Sequence, residues 1–294
     1  MEIVSKYKIW FSISLVIMII GLGIGLVSGL NLGIDFSGGT MMQIDIGRSF
    51  ETDEVRTVLE PFNLKEEIIH AGMDKTEVII RTKESLNNDA RKEIFSVIKE
   101  AFTLEDEAYL GTEQFGPAIG DEIRRRAMTS IIFASIGMLI YITLRFEITF
   151  GISSIIALLH DVLILISIYA IFRIPVDTSF IAAVLTIVGY SINDTIVVFD
   201  RIRFNIRFLK RNDYMSIAEM SVQQTLTRSI NTSLTTLLVI GSLYFLGVES
   251  IKNFALPLLA GVITGTYSSI FIASPVWALW KTRSKRSEYV KANM

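Results

Sequence analysis

The 294-residue chain has no cysteine, which excludes both disulfides and thiolate metal sites. It has two histidines, His70 in a polar segment and His160 in an apolar one, and two isolated imidazoles do not make a metal constellation. No Gly-x-x-x-x-Gly-Lys-Ser/Thr run occurs, so there is no recognisable phosphate-binding loop, and any work must be driven by a partner or an ion gradient. Neither sign of charge dominates. The formal net charge of −2 carries no electrostatic footprint for nucleic acid. No cofactor or metal is expected.

Apolar residues are what the chain has in quantity. They make up 51% of it, against about 45–50% in soluble proteins even with glycine counted, and the mean hydropathy is +0.49. Windows of about 20 apolar residues with few charges predict six membrane-spanning helices, near Ile9 to Leu30, Met128 to Leu144, Ile148 to Phe172, Thr178 to Phe199, Leu226 to Leu246 and Phe254 to Trp280. An even number places both termini on one side. With the N-terminus inside, the inner segments hold Lys6, Lys8, Arg145, Arg201, Arg203, Arg207, Lys210, Arg211 and a basic tail, whereas the short outer loops hold only Arg173 and Lys252. The positive-inside rule therefore favours cytoplasmic N- and C-termini in a cell membrane. Arg124, Arg125 and Arg126 run against that bias. They end a long exported segment that is largely exempt from the rule, and they fit a position along the membrane surface. The first span is too long for a typical signal-peptide core and carries Gly21, Gly25 and Gly29 at small-xxx-small spacing, so it reads as a retained anchor.

The expected organisation is a transmembrane helix at 9–30, an extracytoplasmic α+β domain at 31–123, five transmembrane helices within 124–280 and a cytoplasmic basic tail at 281–294. In the exported segment the periodicities read as strand (Thr40 to Ile46), helix (Asp53 to Pro61), strand (Glu66 to His70), strand (Glu77 to Thr82), helix (Asp89 to Phe102) and strand (Glu107 to Gln114). That βαββαβ order predicts a small ferredoxin-like sandwich between spans 1 and 2 of a polytopic α-helical membrane protein. Ile94, Val97, Ile98 and Ala101 form its expected helical core face. Two glycine-rich segments bracket the domain, Gly33 to Thr40 before it and Phe115 to Gly120 after it. Gly38, Gly39, Gly116 and Pro117 are candidate hinge or corner positions, because glycine permits positive φ and proline fixes its own.

Chemistry concentrates in the membrane. A charge at mid-bilayer costs roughly 2.5–3.5 kcal/mol even on the lenient insertion scale, so such residues face a bundle interior, find a partner and carry function. Asp194, in the fourth span, and Arg228, opening the fifth, are such a pair. Asp194 lies six residues before Asp200, or about 9 Å of helix, and the depths of Asp194 and Arg228 match. Ser191 shares the face of Asp194, and Asn193 is adjacent. On the fifth span Arg228, Asn231, Thr232, Thr235 and Thr236 fall at helical spacing as a polar stripe that should line an interface or wet cavity. Asp161, midway along the third span, is a second candidate carboxylate. Its neighbour His160 is expected about 100° away around the helix, so the two should not face one site, and His160 reads as a satisfied core or interfacial histidine. The alternative for Asp194 and Arg228 is a purely structural ion pair, which explains them less well because buried pairs are poor stabilisers.

Taken in order, Gly33-Ile-Asp-Phe-Ser-Gly-Gly39, Phe115-Gly-Pro117, His160-Asp161, Gly189-Tyr-Ser-Ile-Asn-Asp194, Asp200-Arg201 and Thr227-Arg228 before a Thr-rich span resemble the SecF side of the SecD/SecF family of protein-export membrane proteins. The resemblance implies the smaller partner of a SecD-like chain, together forming a twelve-span unit related to resistance-nodulation-division transporters. It also implies that the unit assists the Sec channel in drawing unfolded polypeptide outward on the proton or sodium motive force. The relay role it implies falls on Asp194 and Arg228, with membrane lipid as surroundings and no enzymatic activity. The Arg124 to Arg126 run is not part of the family motif, and its role stays unassigned. Two other classes compete. One is an ion-coupled exporter of small molecules or lipids from the same superfamily. The other is an aspartyl protease using Asp161 and Asp194, which lacks the Gly-x-Gly-Asp element expected around Asp194.

Overall fold

The computed structural model describes residues 2–64, 66–72, 74–209 and 213–292, with side chains described at all of these except 66, 117, 209, 249, 250 and 285–292. Lys210 and Arg211, which contribute to the expected charge asymmetry, lie outside the described residues, as do the side chains of the basic tail from 285 onward.

In chain order the elements are α1 (Tyr7–Ser28), α2 (Ile34–Ser37), β1 (Gly39–Asp45), α3 (Thr52–Leu59), β2 (Glu66–Ala71), β3 (Glu77–Thr82), α4 (Asn88–Phe102), β4 (Tyr109–Phe115), α5 (Pro117–Arg145), α6 (Ile148–Phe172), α7 (Thr178–Leu209) and α8 (Tyr214–Leu246). The last crossing is composite: α9 (Glu249–Ser268), a π-helical turn (Ser269–Ala273) and α10 (Ser274–Ala292). Among the described residues six helices are long and apolar enough to span a bilayer, so the chain is a multi-pass membrane protein. The helices outrun the apolar windows. Helix α7 continues past Phe199 to Leu209, and α8 begins at Tyr214 rather than Leu226. Hydropathy ends where charges begin, but a helix continues while its polar side chains find partners. Here Asn205 Nδ2 donates to Ser221 Oγ at 2.8 Å, and Arg201 Nε donates to Gln224 Oε1 at 2.6 Å.

The α+β domain has the expected βαββαβ order, and its four strands form one antiparallel sheet in the order β2-β3-β1-β4. Met42 and Ile44 of β1 and Val78 and Ile80 of β3 point inward by the two-residue strand period, and Ile94 and Ile98 of α4 cover them. Ala101 is exposed, contrary to expectation, because the buried face runs Ile94, Ile98, Phe102 at four-residue steps. Strand β4 starts at Tyr109 because a 3-10 turn occupies Asp106–Ala108.

The domain is tied closely to the membrane bundle. Leu32 bridges Val176, with Gly33 N–H donating to Val176 O at 2.7 Å and Val176 N–H to Asn31 O at 2.8 Å. The two glycine segments pack on each other, since a Cβ on Gly120 would lie 2.6 Å from Phe36 O. Gly38 (φ +79) and Gly39 (φ +149) sit where L side chains are strained. Gly116 has an ordinary φ of −77 and open space around it, and Pro117 opens α5 as its first residue.

Candidate functional site

Helix α7 is the centre of the bundle because small residues let a neighbour approach it. Gly261 and Gly265 of α9, a G-x-x-x-G pair, face Ile187 and Ser191, and a Cβ on Gly265 would sit 3.0 Å from Ser191 Cβ. Polar side chains on α7 are thereby held against three other spans, and two carboxylate centres form along it, one at Asp194 and one at Ser191.

The first centre is Asp194, which is buried. Its Oδ1 accepts the Ser229 hydroxyl at 2.7 Å, while its Oδ2 is buried without a hydrogen-bond partner. An unsatisfied buried carboxylate oxygen is a high-energy arrangement that calls for a proton or a donor. Arg228 makes no ion pair with Asp194 within 4.0 Å, and its side chain is exposed. Asn231, Thr232 and Thr235 share that exposed side, and Asn193 is exposed on α7. The inward face of α8 is a different series, Ser221, Thr225, Ser229 and Ser233, all buried. Its upper part extends the polar layer: Tyr190 donates to Ser233 Oγ at 3.4 Å, and Ser233 hydrogen-bonds Thr266. Four small hydroxyl residues at i, i+4, i+8 and i+12 were the available signal for this face, and the stripe beginning at Arg228 obscured it.

The second centre is His160–Asp161. The expectation that the two cannot serve one site is wrong: His160 Nδ1 lies 3.1 Å from Asp161 Oδ1. A 100° offset separates Cβ vectors, but imidazole and carboxylate are long enough, and both are pressed inward, for their ends to meet across it. Asp161 Oδ2 accepts Ser191 Oγ–H at 2.6 Å and Ser268 Oγ–H at 2.8 Å. His160 Nε2 meets Ser14 Oγ of α1 at 2.8 Å. The π turn contributes Ser269, whose hydroxyl meets Thr195 Oγ1 at 2.8 Å. One extra residue per turn re-aims the sixth span here, and such turns recur at functional sites.

A third polar group lies at the domain-facing end of α7. Asp35 Oδ2 accepts Thr178 N–H (2.9 Å) and Oγ1–H (2.6 Å), and Asp177 Oδ1 accepts Phe180 N–H at 3.0 Å. Two carboxylates thus satisfy free amides at the positive end of a helix. Arg81 of β3 approaches Asp177 at 3.9 Å. Burial raises the Asp177 pKa above the ordinary carboxylate value, opposed by its bond to Phe180, with the neighbouring Asp35 charge raising it further and Arg81 lowering it. Asp35 lies in the first glycine motif and is legible there only as a loop residue. Arg124 sits nearby on α5 and donates to Phe36 O at 3.4 Å. No group of three or more His, Asp or Glu side chains converges as metal ligands among the described residues.

Residues 94–283 match the family described as Protein export membrane protein SecD/SecF, C-terminal, and residues 23–46 match the SecD/SecF GG Motif. The chain is 37% identical over 299 residues to the protein translocase subunit SecF of Petrotoga mobilis, covering 98% of each. It is also 37% identical to the protein translocase subunit SecDF of Bacillus subtilis, covering 98% of this chain but 39% of that protein. A crystal structure of SecDF, a translocon-associated membrane protein from Thermus thermophilus, superposes with a TM-score of 0.78 at 36% identity, over 95% of this chain and 38% of that one.

Proposed function

Because the chain belongs to the SecD/SecF family of protein-export membrane proteins, we propose that it is an accessory subunit of the Sec export machinery. In this reading it works with a SecD-like partner to draw unfolded polypeptide outward on an ion gradient. The observation that carries the reading is the contrast on α8. Ser229 holds a buried, half-satisfied Asp194, while Arg228, Asn231, Thr232 and Thr235 stand exposed on a helix that crosses the membrane. Polar groups facing lipid are costly, so that side calls for a protein neighbour. Fused SecDF relatives are more than twice as long as this chain, and their additional half is the model for that neighbour.

In this scheme Asp194 binds and releases the coupling proton or sodium ion, and Arg228 tunes it across the interface. Asn193, Asn231, Thr232 and Thr235 line the shared surface, and Gly38, Gly39, Gly116 and Pro117 form the corners between bundle and domain. The chain is not an enzyme in this reading. Asp161 and Asp194 hydrogen-bond to different partners and not to each other, so they make no proton-sharing dyad of the protease kind. Co-expression with a SecD-like chain is expected to yield a stable complex in mild detergent, and that complex, with the Sec channel, should increase precursor translocation into vesicles when a gradient is imposed. A monodisperse chain that ignores the partner, or a complex whose export is indifferent to the gradient, would sink the reading.

The orientation follows from the charge asymmetry: both termini inside, the α+β domain and its corners (31–123) outside, 124–280 in the membrane and 281–294 cytoplasmic. A cysteine placed at Asn88, exposed at the start of α4, should react with a membrane-impermeant thiol reagent in intact cells after any outer membrane is opened. Protection at Asn88 with labelling of the tail would reverse the topology.

A further inference from the structure

The scheme centred on Asp194 leaves the His160–Asp161 cluster without a task. We propose that this pair is a second proton-exchange site, independent of Asp194, wired through Ser14 and Tyr267 to the backbone of α1 and joined to α7 by Ser191.

The hydrogen-bond inventory carries the inference. With His160 neutral, Nδ1–H donates to Asp161 Oδ1 (3.1 Å), and Nε2 accepts the Ser14 hydroxyl (2.8 Å). Tyr267 OH donates to the Trp10 carbonyl (2.8 Å). With one proton added, Nε2–H donates to Ser14 Oγ, and the Ser14 hydroxyl turns to Tyr267 OH, 3.3 Å away, while Tyr267 still donates to Trp10. Both states are fully satisfied, and the change needs only the rotation of one hydroxyl. Burial normally blocks a change of protonation because one state leaves a donor or acceptor orphaned. That obstacle is absent here, although Asp161 is 1% and His160 6% exposed.

The charge balance favours the same conclusion. In its ionised form Asp161 accepts from Ser191, Ser268 and His160. Proton uptake takes the pair from one net negative charge to neutrality, and the proton belongs to the pair rather than to either ring or carboxylate. Among the described residues the titratable group packed on it is Tyr267 from the sixth span, stacked on His160 at 5.8 Å; Asp194, one turn beyond Ser191 on α7, hydrogen-bonds Ser229 instead. The pair's hydrogen-bond partner from α1 is the Ser14 hydroxyl, and among the described residues no Lys, Arg or Glu interacts with Asp161. Ser191 links the two centres mechanically, since any rotation of α7 that moves Asp194 also moves a ligand of Asp161.

The chain has two histidines, so imidazole nitrogen NMR of the full chain in lipid nanodiscs, with its partner where they co-purify, resolves each one. His70→Gln identifies the His160 signal. His160 is expected to change reversibly from singly to doubly protonated as the pH is lowered, and to do so equally in Asp194→Asn. Ser14→Ala removes the acceptor of Nε2–H, so proton affinity should fall about tenfold, or about one pH unit, and Ser14→Thr should restore it. A His160 ring fixed in one protonation state throughout, or a midpoint untouched by Ser14→Ala, would overturn the site. Loss of the titration in Asp194→Asn would overturn its independence while leaving the assignment of Asp194 intact.

Discussion

Asp194→Asn is expected to abolish gradient-stimulated export while the protein still inserts, folds and binds its partner. Asparagine keeps the volume, and its carbonyl oxygen can still accept the Ser229 hydroxyl that now meets Oδ1 at 2.7 Å. Its amide would occupy the place of Oδ2, already buried without a partner, so one unsatisfied group replaces another at a cost of about 1–3 kcal/mol or less. What disappears is the ability to alternate between charged and neutral. An ionised Asp194 is favoured when a cation such as Arg228 approaches, and a protonated one when it recedes. The membrane potential acts on that difference with about 2.3 kcal/mol per elementary charge per 100 mV, enough to move a two-state equilibrium by more than tenfold. Translocation of a secreted precursor into vesicles, with the gradient imposed or collapsed, reads the effect. An Asp194→Asn protein that assembles normally and still responds to the gradient like the parent would return Asp194 to a structural role.

The second large effect is structural. Gly39→Ala should unseat the α+β domain. Gly39 has φ +149, a conformation that costs other residues on the order of 1–3 kcal/mol. A Cβ there would lie 2.2 Å from the Thr82 carbonyl oxygen and 3.0 Å from Lys83 Cα. Those atoms belong to backbone at the end of β3, beside the Thr40–Thr82 pair of the β1–β3 ladder, so relief requires breaking register rather than turning a side chain. The control is Gly116→Ala, where φ is ordinary and nothing lies within 4 Å; it should be near neutral. Thermal unfolding of the purified protein and protease sensitivity of the domain in membranes distinguish the two. A Gly39→Ala protein as stable and protease-resistant as Gly116→Ala would contradict the argument.

Some features needed no structure. Apolar run length located six crossings, because lipid demands about 20 apolar residues whatever the surrounding fold. The two-residue and 3.6-residue periods located every strand and helix of the domain core, because Met42, Ile44, Ile94 and Ile98 must share a face. Asp194 stood out because a carboxylate in an apolar run has a cost that only function or pairing offsets. Tertiary structure alone decided what each polar group meets. Spacing along α8 could not tell that Ser229 rather than Arg228 holds Asp194, since adjacent residues on a helix face different neighbours and only packing chooses between them. Nor could it bring Ser14, His160, Asp161, Ser191 and Ser268 together from four spans. Helical periodicity specifies direction around one axis, whereas a site is an intersection of several axes. Those crossings were set by Gly261 and Gly265 against α7, by Gly21 against Ser167, and by a π turn in the sixth span.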